Sequence, residues 1–425
     1  MFNKQKASDL AYLGGDPLFH EKLHVGAPNL GSKEALFQRI EELYRTKRLA
    51  NRGPFVRELE ARLAEEMGVK HCIAMCNGTI ALEIAIRALG MSGEVILPSF
   101  TFIATAHALQ WQEITPVFCD VEKENYTIDP LKVEALITPK TSGIIGVHLW
   151  ARACKIEALQ EIANHHNLCL LFDAAHAFKC SYKKQMIGSF GDAEVFSFHA
   201  TKFFNTFEGG AIATNSEELA EKIRFMQNFG FVSKDQVDYL GINGKMSEIS
   251  AAMGLTSLES VDLFVAVNKR NYQLYKQGLA GLSGVRLLSF SEDELSNKQY
   301  IVLEIDAAEF GLGRDCTVSL LESEGVLARR YFYPGCHQME PYRSYFPNAG
   351  LLLPETERLA KRTLCLPTGM AIDADHISGI CKLLHFFQAH HQEITAESGD
   401  QGHKITPSFA EYERRISRDT YIEEL

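Results

Sequence analysis

Residues 191–214 read GDAEVFSFHATKFFNTFEGGAIAT. Two apolar runs, "AEVFSF" and "GAIAT", read as strands, and no helix-length segment separates them. Between them lies Lys202, set among aromatic and small residues and followed by a Gly-Gly pair. Strands joined without a helix fit an antiparallel neighbour, so this stretch predicts that the sheet is mixed.

Working outward, the same kind of strand recurs with helices between. "KHCIAM", "EVILP", "ITPVFCDV", "SGIIGVHL" and "LCLLFD" are short and apolar on both faces, and "GTIALEIAIRAL" and "KIEALQEIANHH" have the helical period. Strands buried on both faces and joined by helices predict an α/β fold, with a largely parallel sheet covered on both sides. Upstream, "SKEALFQRIEELYRTK" and "PFVRELEARLAEEMG" read as helices separated by the breaker "NRGP". Residues 1–32 read as an irregular N-terminal arm and 33–259 as the large domain.

After residue 250 the pattern turns helical, with a long or broken helix over "SAAMGLTSLESVDLFVAVNKRNYQLYKQGLAGL". Strands at "NKQYIVLEID" and "GVLARRYFYP" flank a helix at "RDCTVSLLESEG", and another helix follows at "ADHISGICKLLHFFQAHHQ". This predicts a smaller α+β domain over 260–392. A polar extension over 393–425 is expected to be loosely attached, with a short helix at "SFAEYERRI".

The 425 residues are 46% hydrophobic, ample for more than one core. The formal net charge of −11 argues against nucleic acid, which needs concentrated positive charge. Ten cysteines without a CxxC pair read as reduced thiols. No signal peptide or membrane-length apolar run is visible, so a cytoplasmic protein is expected. The histidines show no metal-binding spacing such as HExxH.

Three features stand at strand ends, where α/β sheets gather ligands. "CNGTIAL" places Asn77, Gly78 and Thr79 between a strand and a helix, either as a phosphate seat or as an ordinary capped turn. "LCLLFDAAHAF" ends an apolar strand on Asp173, with His176 three residues on; a strand-end aspartate can equally cap a turn. "SFHATKFF" holds Ser197 and Lys202. A lysine there serves an ion pair, a phosphate contact or covalent chemistry. One ligand carrying a phosphate, a basic ring nitrogen and an aldehyde would use all three features, and pyridoxal phosphate is such a ligand.

The ordered set "NRGPFVRELE", "CNGTIAL", "PSFTFIATAHAL", "FDAAHAF", "SFHATKFFNTFEGG", "GINGKMSEISAAMG" and "LCLPTG" resembles the DegT/DnrJ/EryC1/StrS sugar aminotransferases, fold-type I pyridoxal-phosphate enzymes. The resemblance spans roughly residues 20–390 and implies a seven-stranded large domain, a small C-terminal domain and a homodimer with active sites at its interface. By motif, Lys202 would form the imine with the cofactor and Asp173 would pair with its ring nitrogen. Phe102 would stack on the ring, and Gly78, Thr79 and Ser197 would hold the phosphate. Asn243 would reach the phosphate of the neighbouring subunit. L-glutamate is the implied donor and a nucleotide-diphosphate keto-sugar the implied acceptor. "FDAAHAF" and "FEGG" resemble the viosamine-synthase branch acting on dTDP-4-keto-6-deoxyglucose. Arg329 and Arg330 are candidate diphosphate contacts, and Tyr331 and His337 candidate sugar contacts; a solvated strand edge is the plainer role for the arginines.

The chain also departs from the family pattern. His176 stands where glutamine is frequent near the cofactor's phenolic oxygen; as a catalytic and cofactor-binding residue it would hydrogen-bond there, and its protonation would tune the imine. Phe207 and the "HLWARAC" turn lack common glycines, and Lys245 replaces a frequent arginine. Amination at C3, a same-fold dehydratase, a non-catalytic cofactor-binding regulator and a cofactor-free sugar-binding protein are the alternatives. The dehydratases often carry histidine in place of the lysine.

Overall fold

A computed structural model describes residues 2–400. Seven strands form the main sheet: β1 (His71–Met75), β2 (Glu94–Pro98), β3 (Thr115–Cys119), β4 (Thr141–Val147), β5 (Cys169–Asp173), β6 (Ala193–Ser197) and β7 (Gly210–Thr214). Their order is β1-β7-β6-β5-β4-β2-β3. Strand β7 runs antiparallel to both neighbours, and every other pairing is parallel. The mixed sheet read from residues 191–214 is therefore present.

Successive side chains of a strand point to opposite faces. Ile96, Ile144, Leu170, Phe172 and Phe196 enter one core, while Val95, Leu97, Ile145, Leu171 and Val195 enter the other. Helix α1 (Lys33–Thr46) is capped by Ser32, whose hydroxyl accepts the Ala35 amide. Helix α2 (Pro54–Met67) covers the first face with Val56, Leu59 and Leu63. Helix α3 (Gly78–Ala88) covers the second with Ala81, Leu82 and Ala85. Burial on both faces explains why these strands read as continuous apolar runs rather than alternating ones.

The long helical stretch is broken. Glu248–Glu259 and Val261–Gly278 meet at Ser260 with a bend of 58°. The second of these helices packs against a three-stranded antiparallel sheet of Val285–Leu287, Ile301–Ile305 and Thr363–Leu366, together with the helix Ala374–Ala389. The strand expected over "GVLARRYFYP" is only Val326–Leu327, followed by a single bridge from Arg329 to Cys365. No single described helix is long and apolar enough to cross a membrane. All ten cysteines are free thiols.

The described residues of the arm, and those at the start of the extension, are anchored in the C-terminal core. Ile394 is buried in the C-terminal core, and the helix His391–Asp400 carries the chain beyond residue 393, so attachment continues into the extension. The helix expected at "SFAEYERRI" lies outside the described residues. In the arm, Ala7 and Leu10 enter the same core, and Leu23–His24 pairs in parallel with Val326–Leu327. Its anchor is a buried ion pair, Lys4 Nζ to Glu324 Oε2 at 2.9 Å. Lys4 also donates to the carbonyls of Asp9 and Asp16, and Glu324 accepts the amides of Ala11 and Leu18. With its lone pairs satisfied this way, the carboxylate is tolerated without solvent. Removing one member strands the other, so Glu324→Ala is expected to lower unfolding free energy by about 3–5 kcal/mol, read as a fall in the urea midpoint at unchanged slope.

Candidate active site

The carboxyl ends of β1, β4, β5 and β6 open on one cavity of about 240 Å³. Asp173 is the last residue of β5 and Ser197 the last of β6. Lys202 lies five residues beyond β6, in the loop leading to β7, rather than on the strand itself. That loop is held by its own phenylalanines. Phe198, Phe203 and Phe204 are buried against Phe178, and the Phe198 amide donates to the Gly209 carbonyl. The aromatic residues that flank Lys202 in sequence therefore fix where the lysine emerges.

The first turn of α3 closes one end of the cavity. Asn77, not Thr79, caps the helix, its side-chain oxygen accepting the Ile80 amide at 2.8 Å. Gly78 lies so close to β6 that a Cβ there would meet the Ser197 Cβ at 3.0 Å. A side chain there would have to press Ser197 aside, and glycine lets the Ser197 side chain lie beside the helix N-terminus. Backbone N–H groups in a first turn have no intrahelical partner and favour an anion.

Asp173 is 6% exposed. Its Oδ2 accepts the Thr105 hydroxyl at 2.8 Å and its Oδ1 the Ala175 amide at 3.1 Å. Burial nevertheless raises its pKa, with the hydrogen bonds from Thr105 and Ala175 and the charges of Lys202 and His148 opposing the rise. Such a carboxylate gains from a cation set against it. Lys202 is partly open to the cavity, and its Nζ donates to the Tyr300 hydroxyl at 3.4 Å. Desolvation pulls its pKa down to about 8, against the pull of Asp173.

His176 lines the cavity, with its ring 4.7 Å from that of Tyr300. Its Nδ1 accepts the backbone N–H of Trp150 at 3.3 Å. Burial and the neighbouring Lys202 push its pKa well below the usual histidine value, so the ring is neutral and its proton sits on Nε2. The amide that sets this tautomer belongs to a strained turn, with Trp150 at φ 51° and Ala151 at φ 65°. Phe207 is likewise left-handed, at φ 63°. At both places where the resemblance expects glycine, the chain keeps the glycine-like backbone, at about 1–2 kcal/mol per residue.

Gly78, Thr79, Phe102, Asp173, His176, Ser197 and Lys202 all line the cavity, as do Arg329 and Tyr331. The structure does not bring Arg330 and His337 there. Arg330 reaches Asp315 at 3.3 Å. His337 is buried between Ser99, whose hydroxyl is 2.7 Å from Nδ1, and Glu357, 3.0 Å from Nε2. Asn243 is exposed and outside the cavity, bridged through its backbone to Asn228.

Sequence reading missed Thr105, His148, Tyr300 and Phe332, which line the cavity or hold its residues. His148 was findable, because it directly follows an apolar strand, just as Asp173 ends one. It forms a fully buried pair with Glu194, Nε2 to Oε1 at 2.9 Å. Tyr300 carries no local signal, since only folding brings it to Lys202.

A neutral amine beside a buried carboxylate can add to an aldehyde or move a proton. Between its folded pKa of about 8 and the ordinary lysine value of 10.5, Lys202 binds fewer protons folded than unfolded, so its contribution to stability rises with pH across that window. In cofactor-free protein, reductive methylation at Lys202 is expected to rise about tenfold per pH unit up to about pH 8 and level off above it, while exposed lysines keep rising. Peptide mass spectrometry across the pH series reads both.

The residues present fit pyridoxal phosphate: a helix N-terminus and Ser197 for the phosphate, Asp173 for a protonated ring nitrogen, and Lys202 for the aldehyde. Comparison with known proteins agrees. Residues 31–385 match the DegT/DnrJ/EryC1/StrS aminotransferase family. A dTDP-4-amino-4,6-dideoxy-D-glucose transaminase of Shigella dysenteriae is 38% identical over 83% of this chain and 95% of its own. A GDP-perosamine synthase of Caulobacter vibrioides is 36% identical over 76% of this chain and 87% of its own. The crystal structure of DesI with its TDP-sugar product superposes with a TM-score of 0.88 at 46% identity, covering 92% of this chain and all of that one. The chain belongs to the DegT/DnrJ/EryC1/StrS aminotransferase family and is a pyridoxal-phosphate-dependent aminotransferase.

Proposed function

We propose that the protein moves an amino group from L-glutamate to C4 of dTDP-4-keto-6-deoxyglucose. The observation that carries this reading is the convergence of Lys202, Asp173 and the first turn of α3 on one cavity. The similarity to the Shigella transaminase and to DesI supports the sugar and its nucleotide. The similarity to a GDP-perosamine synthase favours a second reading in which the nucleotide is GDP.

The cofactor, when bound, supplies the electron sink for breaking a bond at the donor's α-carbon. The chain's residues do the rest. Asp173, buried and braced by Thr105, holds positive charge at the ring nitrogen. Lys202, with its pKa pulled down to about 8, takes and returns a proton. His176 offers a fixed Nε2–H donor without ionising. The α3 N-terminus and Ser197 hold the phosphate. Arg329, which lines the cavity, would meet the substrate's diphosphate in this reading.

A homodimer belongs to this reading. Asn243 is exposed and adjoins Ile242, which is also exposed, near exposed Phe229 and Leu240. A second copy covering this face would receive Asn243 at its own site.

The test is a panel of dTDP- and GDP-linked 3- and 4-keto-sugars with L-glutamate, read by product mass and NMR. The expected product is the dTDP-linked 4-amino sugar. GDP-linked or C3-aminated product would replace this assignment. Lys202→Ala is expected to lose at least about 1,000-fold in turnover together with covalent cofactor loading; full activity in that variant would overturn the mechanism.

A further inference from the structure

The stretch GAPN, residues 26–29, lies in the N-terminal arm, ahead of the segment that matches the family. It runs beneath the loop that carries Lys202 and touches the residue on each side of that lysine. Gly26 abuts Thr201, where a Cβ on Gly26 would lie 3.1 Å from the Thr201 Cβ. Asn29, 2% exposed, donates from Nδ2 to the Phe203 carbonyl at 3.0 Å. Its own carbonyl accepts Asn205 Nδ2 at 2.8 Å, and its Oδ1 accepts the Met370 amide at 2.9 Å.

Asn29 therefore joins three parts of the molecule: the arm, the lysine loop and the C-terminal region. Asparagine suits the position because one side-chain end supplies both a donor and an acceptor. An aspartate would keep the acceptor for Met370 but set negative charge against the Phe203 carbonyl. An apolar residue would leave the buried Phe203 carbonyl without this donor and the Met370 amide without this acceptor. The opposite side of the loop is also tied, since the Ser257 hydroxyl donates to the Asn205 carbonyl at 2.8 Å. Lys202 thus projects from a loop clamped between the arm and a helix. Reacting groups tolerate little displacement, about 1 Å being enough to cost a hundredfold in rate.

We propose that residues 26–29 form a backing strap for the lysine loop, with Asn29 the positioning residue that sets where the Lys202 amine stands. The strap makes the arm a working part of the active site rather than an appendage. It also gives the C-terminal region a direct link, through Met370, to the loop beside the reacting amine.

The inference rests on Lys202 as the cofactor lysine, and its test keeps the two apart. In the full-length enzyme, Asn29→Asp and Asn29→Leu both lose the bond to Phe203, and only the aspartate keeps the one to Met370. Both are expected to lower kcat about tenfold or more with little change in KM. Asp173, His176 and Tyr300 surround the Lys202 amine, and Arg329, Tyr331 and Glu208 line the same cavity. An amine displaced toward water should titrate higher, so the reductive-methylation profile of Lys202, read on the cofactor-free form of the full chain, should move up by about one pH unit in both variants. Gly26→Ala presses on Thr201 from the other side and should move the profile the same way, which keeps the test alive if an Asn29 variant fails to fold. Variants that melt at lower temperature but keep the wild-type kcat and Lys202 profile would overturn the strap. Covalent cofactor loading in Lys202→Ala would instead overturn the assignment beneath it.

Discussion

A carboxylate taken out of water at the end of a central strand is the constraint around which the site is built. Burial makes ionising Asp173 costly, and two hydrogen bonds offset only part of that cost. The remainder is recovered when a cation lies against the carboxylate. A pyridinium nitrogen answers that need, and the favour is mutual, because the same carboxylate keeps the ring protonated. The strand end supplies the position, helix α4 (Ile103–Gln110) supplies Thr105, and the loop beyond β6 supplies the lysine.

The left-handed turn at Trp150 and Ala151 shows how a departure from the family's common residues is accommodated. The backbone there keeps the shape that glycine adopts without strain. That shape presents the Trp150 amide to His176 and decides which ring nitrogen carries the proton. The indole then stacks on Phe332 at 6.1 Å and meets Phe100 edge-on, so the side chain that raises the strain also packs the wall behind the cavity. Strain and packing act on one residue with opposite sign, and the site takes its histidine tautomer from the outcome.

Much of this was legible in the chain. Apolar runs of strand length, interrupted by helical periods, marked all seven strands of the large sheet, because each is buried on both faces. The missing helix between residues 198 and 210 marked the antiparallel strand. Asp173 and Ser197 were legible as polar residues ending apolar strands, and Gly78 as a glycine opening a helix. The short strand at Val326–Leu327 was overread, because "GVLARRYFYP" has strand-like composition while its pairing partners are used up after one bridge to Cys365. Where Arg330 and His337 lie was not legible, because residue type does not say which way a loop turns. Asp315 takes the first, and Ser99 and Glu357 the second.

The sequence by itself determined the sheet, its one reversed strand, and the three strand-end features that together name the cofactor. Those rest on short-range rules of period, capping and burial, which are written locally. Tertiary structure alone decided the contacts that join distant segments: Tyr300 at the Lys202 amine, Thr105 at Asp173, the Lys4–Glu324 pair that docks the arm, and Asn29 beneath the lysine loop. The physical reason is that a buried polar group must find a partner wherever the packed chain offers one, and sequence distance carries no information about where that is.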